Sequence, residues 1–125
     1  MGKTGKNDIS RHISATKNSA AGLKAAWQNE AAFRLEVVAS TILIPTEVWV
    51  GNRTVERVLL IGTCFIVLIT ELLNSALEAV VDRIGVEHHV LSGRAKDIAS
   101  AAVFLSLLNL LVVWGLICYP NWILC

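Results

Sequence analysis

Residues 71–82 read ELLNSALEAVVD and follow, after Thr70, on the apolar run VLLIGTCFIVLI at 58–69. Together they read as one long helix that is apolar except along one line. With Glu71 set to zero at about 100° per residue, Asn74 falls at about −60°, Ser75 at about +40°, Glu78 at about −20° and Asp82 at about +20°. A narrow polar stripe therefore runs down an otherwise greasy helix. A carboxylate inside a bilayer costs at least about 2.5 kcal/mol, so such groups face a bundle interior or a wet cavity and mark function. Asp82, beside Arg83 at the water boundary, reads as cap or interface chemistry, and Asn74 suits interhelical hydrogen bonding. Glu71 and Glu78 are the residues that packing alone does not explain.

The rest of the chain supports a membrane setting. Of its 125 residues, 54% are hydrophobic and 17% charged, and the mean hydropathy is +0.59. Soluble domains carry about 25% charged residues, and a chain this short cannot hide so much apolar surface in one core. The composition excludes intrinsic disorder, and a net charge of +1 argues against nucleic acid as a partner. Cys64, Cys118 and Cys125 have no metal-ligand spacing and read as packing residues.

A bilayer core needs about 20 apolar helical residues. Three segments approach this: about 31–50, containing VVASTILIP; about 55–81; and about 98–119, nearly free of charge. The first is the least apolar, with Arg34, Glu36 and Glu47 toward its ends and Pro45 within it. The first 30 residues lack the apolar core of a signal peptide, and Lys6 spoils a myristoylation pattern. Nine of the 11 basic residues (Lys3, Lys6, Arg11, Lys17, Lys24, Arg34, Arg83, Arg94 and Lys96) fall before the first span or around the 82–97 connection, whereas Arg53 and Arg57 lie in the other connection. The N-terminus and the 82–97 loop are thus expected in the cytoplasm and the C-terminus outside. Trp27 falls at the inner interface, and Trp49, Trp114 and Trp122 at the outer one. Residues 9–30 carry Ile9, Ile13, Thr16, Ala20, Leu23 and Trp27 on one stripe, as in a helix lying on the inner membrane face, with Asn18-Ser19 and Gly22 as potential breaks. Gly51-Asn52 marks the outer turn, and Gly85 and Gly93 bracket the cytoplasmic loop. The expectation is one integral-membrane domain over 1–125, all-α, with a surface helix and three transmembrane helices.

Two acids near the cytoplasmic boundary suit Mg²⁺, which takes one or two carboxylates plus substrate phosphates. Glu78 is one, and Glu30, where the surface helix meets the first span, is a candidate partner. Glu71 is deeper, beyond a soluble nucleotide but within reach of a lipid hydroxyl, where a general base would act. Lys96 and Asp97, in GRAKD at 93–97, suit phosphate and a polar partner; the plainer reading is topogenic charge and a helix cap at Asp97. His88 and His89 lack a Cys or Asp at ligand spacing. No Walker motif and no protein-kinase motif set is present.

The islands AAWQNEAAFR (25–34), ELLNSALEAVVDRIG (71–85) and GRAKDIASAAV (93–103), in this order, resemble the prokaryotic diacylglycerol kinase family over about residues 9–119. The resemblance implies a homotrimeric helical bundle in the bacterial inner membrane that phosphorylates diacylglycerol with MgATP, giving phosphatidic acid and ADP. Carried over position by position, it makes Glu71 the general base and Asn74 its hydrogen-bonding helper. Glu30 and Glu78 become the Mg²⁺ ligands. Arg11, Glu30, Glu78, Glu87, His89, Lys96 and Asp97 fall at ATP contacts, and Arg11, Trp27, Glu71 and Ser100 toward the lipid substrate. Asn18 and His88 depart from the family pattern. The rivals are an undecaprenol kinase of the same superfamily, a carboxylate-lined cation or proton channel, and a purely structural membrane subunit.

Overall fold

The computed structural model describes residues 8–85 and 89–123, with side chains through Tyr119. Among the described residues there are four helices and no strand: α1 (Asp8–Asn29), α2 (Ala31–Val50), α3 (Thr54–Ile84) and α4 (Val90–Ile123). α3 is the central element. It packs most extensively against α4 and next against α2, whereas α1 touches α2 more lightly.

α1 continues through Asn18, Ser19 and Gly22. Ser19 does not break it because its hydroxyl donates to the Ala15 carbonyl four residues back (2.9 Å), inside the helix. Only Ala26 of this helix is buried. Ile9, Ile13, Leu23 and Trp27 remain 45–70% exposed, an apolar face that the fold does not cover. The joint to α2 is the single extended residue Glu30 (φ −116°, ψ 104°). Arg34 spans this joint: its Nη1 donates to the carbonyls of Trp27 (2.7 Å) and Gln28 (3.3 Å). It thereby satisfies carbonyls that the end of α1 leaves unpaired.

The turn between α2 and α3 falls at Gly51-Asn52, as the glycine suggested. The Glu56 carboxylate accepts from the backbone N–H groups of Asn52 (2.7 Å) and Arg53 (3.2 Å), which caps α3. Arg57 donates from Nε to the Gly51 carbonyl (3.2 Å) and faces the Glu47 carboxylate at 3.6 Å. Gly51 is required by space: a Cβ there would stand 2.9 Å from Arg57 Cγ and 3.1 Å from the Glu47 carbonyl oxygen. Gly51→Ala is expected to destabilise the fold by about 1–3 kcal/mol, as overpacking does, measured as a lower thermal midpoint in detergent. An unchanged midpoint would mean that the turn opens freely.

The helices extend beyond the expected spans, and two local readings change. α3 runs three residues past 81, and α4 begins at Val90 rather than 98. Gly93 and Asp97 are therefore inside a helix, and Asp97 is not its cap. His89 is: its Nδ1 accepts from the Leu91 N–H at 3.1 Å. α4 also continues to Ile123. Trp114, expected at the outer interface, is buried with Leu60 and Cys64 rather than exposed to lipid or water. Its indole N–H donates to Thr63 Oγ1 (3.1 Å), whose hydroxyl donates in turn to the Leu60 carbonyl (2.8 Å). The indole N–H needs an acceptor when buried, and Thr63 supplies one across the α3–α4 seam.

α3 and α4 are long and apolar enough to cross a bilayer. Most of α4's large apolar side chains face outward, among them Leu105, Leu111 and Leu116 at 61–70% exposure. Such a surface is stable in lipid or against another apolar chain, and unstable in water.

Candidate functional site

The α3 stripe meets α2 and the α1–α2 joint at Glu71. The residue is 5% exposed. Asn74 and Glu36 are its hydrogen-bonding neighbours, and the charges of Glu78 and Glu30 act on it. Glu30 from the α1–α2 joint, Glu36 from α2 and Glu78 from α3 thus lie within electrostatic range of Glu71. Asn74 links down the stripe, its Nδ2 donating to Glu78 Oε1 at 3.4 Å. Of the expected companions, Asn74 joins Glu78 by a hydrogen bond, and Glu30 and Glu78 act on Glu71 through their charge.

Glu36 is an addition. The sequence reading placed it only near the end of a span. The signal available was its position on α2 between Phe33 and Ser40, the two buried residues of that helix. Spacings of three and four residues put all three on one face, so the carboxyl had to enter the bundle.

Several buried polar atoms here lack a partner: Glu36 Oε2, Asn74 Oδ1 and Ser75 Oγ. Native interiors satisfy almost all such atoms, so a concentration of exceptions indicates a ligand position. A cavity of about 660 Å³ opens alongside, between α1 and α3, lined by Gly22, Ala26, Glu30, Ser75 and Ala79 among others. Its walls are mostly small and apolar, with Ser19, Asn29, Glu30 and Ser75 as polar points. That combination suits an amphiphile with one polar end.

Mg²⁺ is compatible with this donor set. Among the described residues neither Glu30 nor Glu78 is held in an ion pair, since those found are Arg57–Glu47 and Lys96–Asp82. The two carboxylates flank Glu71 with no cation of their own. No group of three or more potential ligands is assembled among the described residues. A metal carried in on phosphates needs only one or two protein carboxylates.

The remaining expected residues are more scattered. Lys96 reaches back from α4 to α3, its Nζ donating to Asp82 Oδ1 at 2.6 Å. His89 caps α4 and lines a cavity of about 450 Å³ with Val81 and Ile84. Asp97 lines a depression on α4 with Arg94. Arg11, Trp27 and Ser100 are exposed. Among the described residues, no hydrogen bond or ion pair joins Arg11, Trp27, His89, Asp97 or Ser100 to the carboxylates. Glu87 and His88 lie outside the described residues.

Apolar helices around an acidic, incompletely satisfied centre define a small helical membrane protein with a built-in chemical site. Comparison with known proteins makes this specific. The family described as prokaryotic diacylglycerol kinase matches residues 17–118. A diacylglycerol kinase of Haemophilus influenzae is 52% identical over 103 residues, 82% of this chain and 87% of that protein. The Escherichia coli K12 diacylglycerol kinase is 47% identical over 113 residues, 90% of this chain and 93% of its own. A diacylglycerol kinase of Pseudomonas aeruginosa is 45% identical with similar coverage. The chain belongs to the prokaryotic diacylglycerol kinase family.

Proposed function

We infer that this chain phosphorylates membrane diacylglycerol with ATP, giving phosphatidic acid and ADP. Its family membership and its high identity to diacylglycerol kinases support the activity. The single structural observation that carries the mechanism is Glu71: an acid 5% exposed in an apolar helix, beside Asn74 and under the charges of Glu30 and Glu78.

In this reading the lipid lies with its primary hydroxyl at Glu71 and its chains along the apolar helix faces. Glu71 takes the hydroxyl proton as the oxygen attacks the γ-phosphorus. The bond from that phosphorus to the bridging oxygen breaks, and ADP leaves with the electron pair. Asn74 orients the carboxylates of the stripe. Glu30 and Glu78 would hold Mg²⁺, whose contribution is to neutralise charge developing on the transferred phosphoryl group. Lys96 supplies a further cation for the phosphates. Arg11, Glu87, His89 and Asp97 extend the nucleotide contacts, and Arg11, Trp27 and Ser100 serve the lipid side.

The nine basic residues before the first span and around the 82–97 segment support an inner-membrane protein with that side facing the cytosol and its ATP. We place α2 as a third crossing; its Arg34, Glu36 and Glu47 are accommodated by the α1 carbonyls, by Glu71 and by Arg57. The exposed apolar length of α4 and the separation of Asp97 from the carboxylates favour a homotrimer whose neighbouring chains complete the site.

The deciding assay is transfer of labelled phosphate from ATP in mixed micelles containing diacylglycerol or, separately, undecaprenol. Product is expected with diacylglycerol and only weakly with undecaprenol. Equal or better transfer to undecaprenol would reassign the acceptor, and nucleotide-independent ion conductance with no transfer would favour a channel.

A further inference from the structure

The α3 stripe ends in an ion pair that its function as read above does not use. Asp82 stands four residues past Glu78, one turn along the same face of α3. Its Oδ1 receives the Lys96 ammonium at 2.6 Å, and the two side chains are 62% and 40% exposed. An exposed pair of this kind adds little to stability. Lys96 also feels the charge of Glu78. The lysine stem is long and flexible. Without a tether its ammonium samples solvent; with one, it stays at the aqueous end of the carboxylate stripe. The pair also joins the last turns of α3 to the first turns of α4, across the segment that connects them.

We propose that Asp82 is a positioning residue: it holds Lys96 beside Glu78, so that the incoming polyphosphate meets a cation already in place. The inference rests on the reading of Lys96 as a phosphate contact. Asp82 itself touches neither substrate. It acts by removing the conformational freedom that Lys96 would otherwise lose on binding, the general benefit of preorganisation.

The test is steady-state kinetics of the full-length protein in diacylglycerol micelles, with MgATP varied. D82N is expected to raise KM for MgATP about tenfold, the equivalent of roughly one charge-assisted contact, with a smaller change in kcat. D82E, which keeps the charge on a longer arm, should recover most of the loss. K96Q should raise KM at least as much as D82N, and D82N/K96Q should be no worse than K96Q alone. Within that cycle, the absence of any added effect is the signature of one residue acting through the other. D82S makes the same comparison through a different side chain, so that a folding defect of one replacement does not decide the outcome. A KM for both D82N and D82S within twofold of wild type, or effects that multiply in the double variant, would overturn the proposal. A K96Q enzyme with normal KM and kcat would instead overturn the role given to Lys96, a distinguishable result.

Discussion

Glu71→Gln is expected to lower phosphate transfer to diacylglycerol by about 10²- to 10⁴-fold, the usual contribution of a positioned base, while MgATP binding stays close to wild type. Glu71 lies deeper along α3 than Glu78, by seven residues or about two turns, and is almost wholly buried. In the proposed mechanism the water-borne nucleotide stops short of it, and the lipid hydroxyl is the group that meets it. Glutamine preserves the size of the side chain and still pairs with Asn74 and Glu36, so the packing of α2 on α3 should survive. What it lacks is the capacity to accept a proton. Transfer assays and equilibrium nucleotide binding on the same preparation separate the two effects. Turnover near wild type would remove Glu71 from the reaction, and lost nucleotide binding would make its role structural.

Glu78→Gln should act at the other end of the stripe. Glu78 receives the Asn74 amide at 3.4 Å and, with Glu30, acts on Glu71 through its charge. Removing its charge withdraws one of only two carboxylates proposed for Mg²⁺. The Mg²⁺ concentration for half-maximal activity should rise by at least about tenfold, the scale at which even outer contacts of metal sites act. Apparent nucleotide affinity should fall with it, because metal and phosphates bind as one unit. Excess Mg²⁺ should restore much of the rate to Glu78→Gln and none to Glu71→Gln. An Mg²⁺ titration identical to wild type would exclude Glu78 as a ligand.

The helical membrane character and the central acids were legible because both are properties of one helix at a time. A wheel drawn from residues 71–82 needs no partner to show that Glu71, Asn74 and Glu78 share a face. Glu30 was legible because it ends an apolar stripe at a helix junction. Glu36, Arg34 and Trp114 were not, for a common reason. Each was read as a residue at a membrane boundary, where charged and amphipathic groups are comfortable. In the fold each instead answers a need on another segment: Glu36 meets Glu71, Arg34 satisfies the carbonyls of α1, and Trp114 donates to Thr63. The start of α4 was misread because Gly93 and Asp97 have loop and cap propensities. Propensity is weak beside the hydrogen bonds of a continuing helix, and His89 had already supplied the cap.

Composition and periodicity by themselves determined that the chain is helical, belongs in a membrane and carries acids along one face of its central helix, because hydropathy and the helical repeat act locally. Tertiary packing alone decided which groups those acids meet: Glu36 from α2, Glu30 from the joint, and Lys96 on Asp82 from α4. The angle and register at which helices dock are set by side chains interlocking across their seams, and no single helix contains that information.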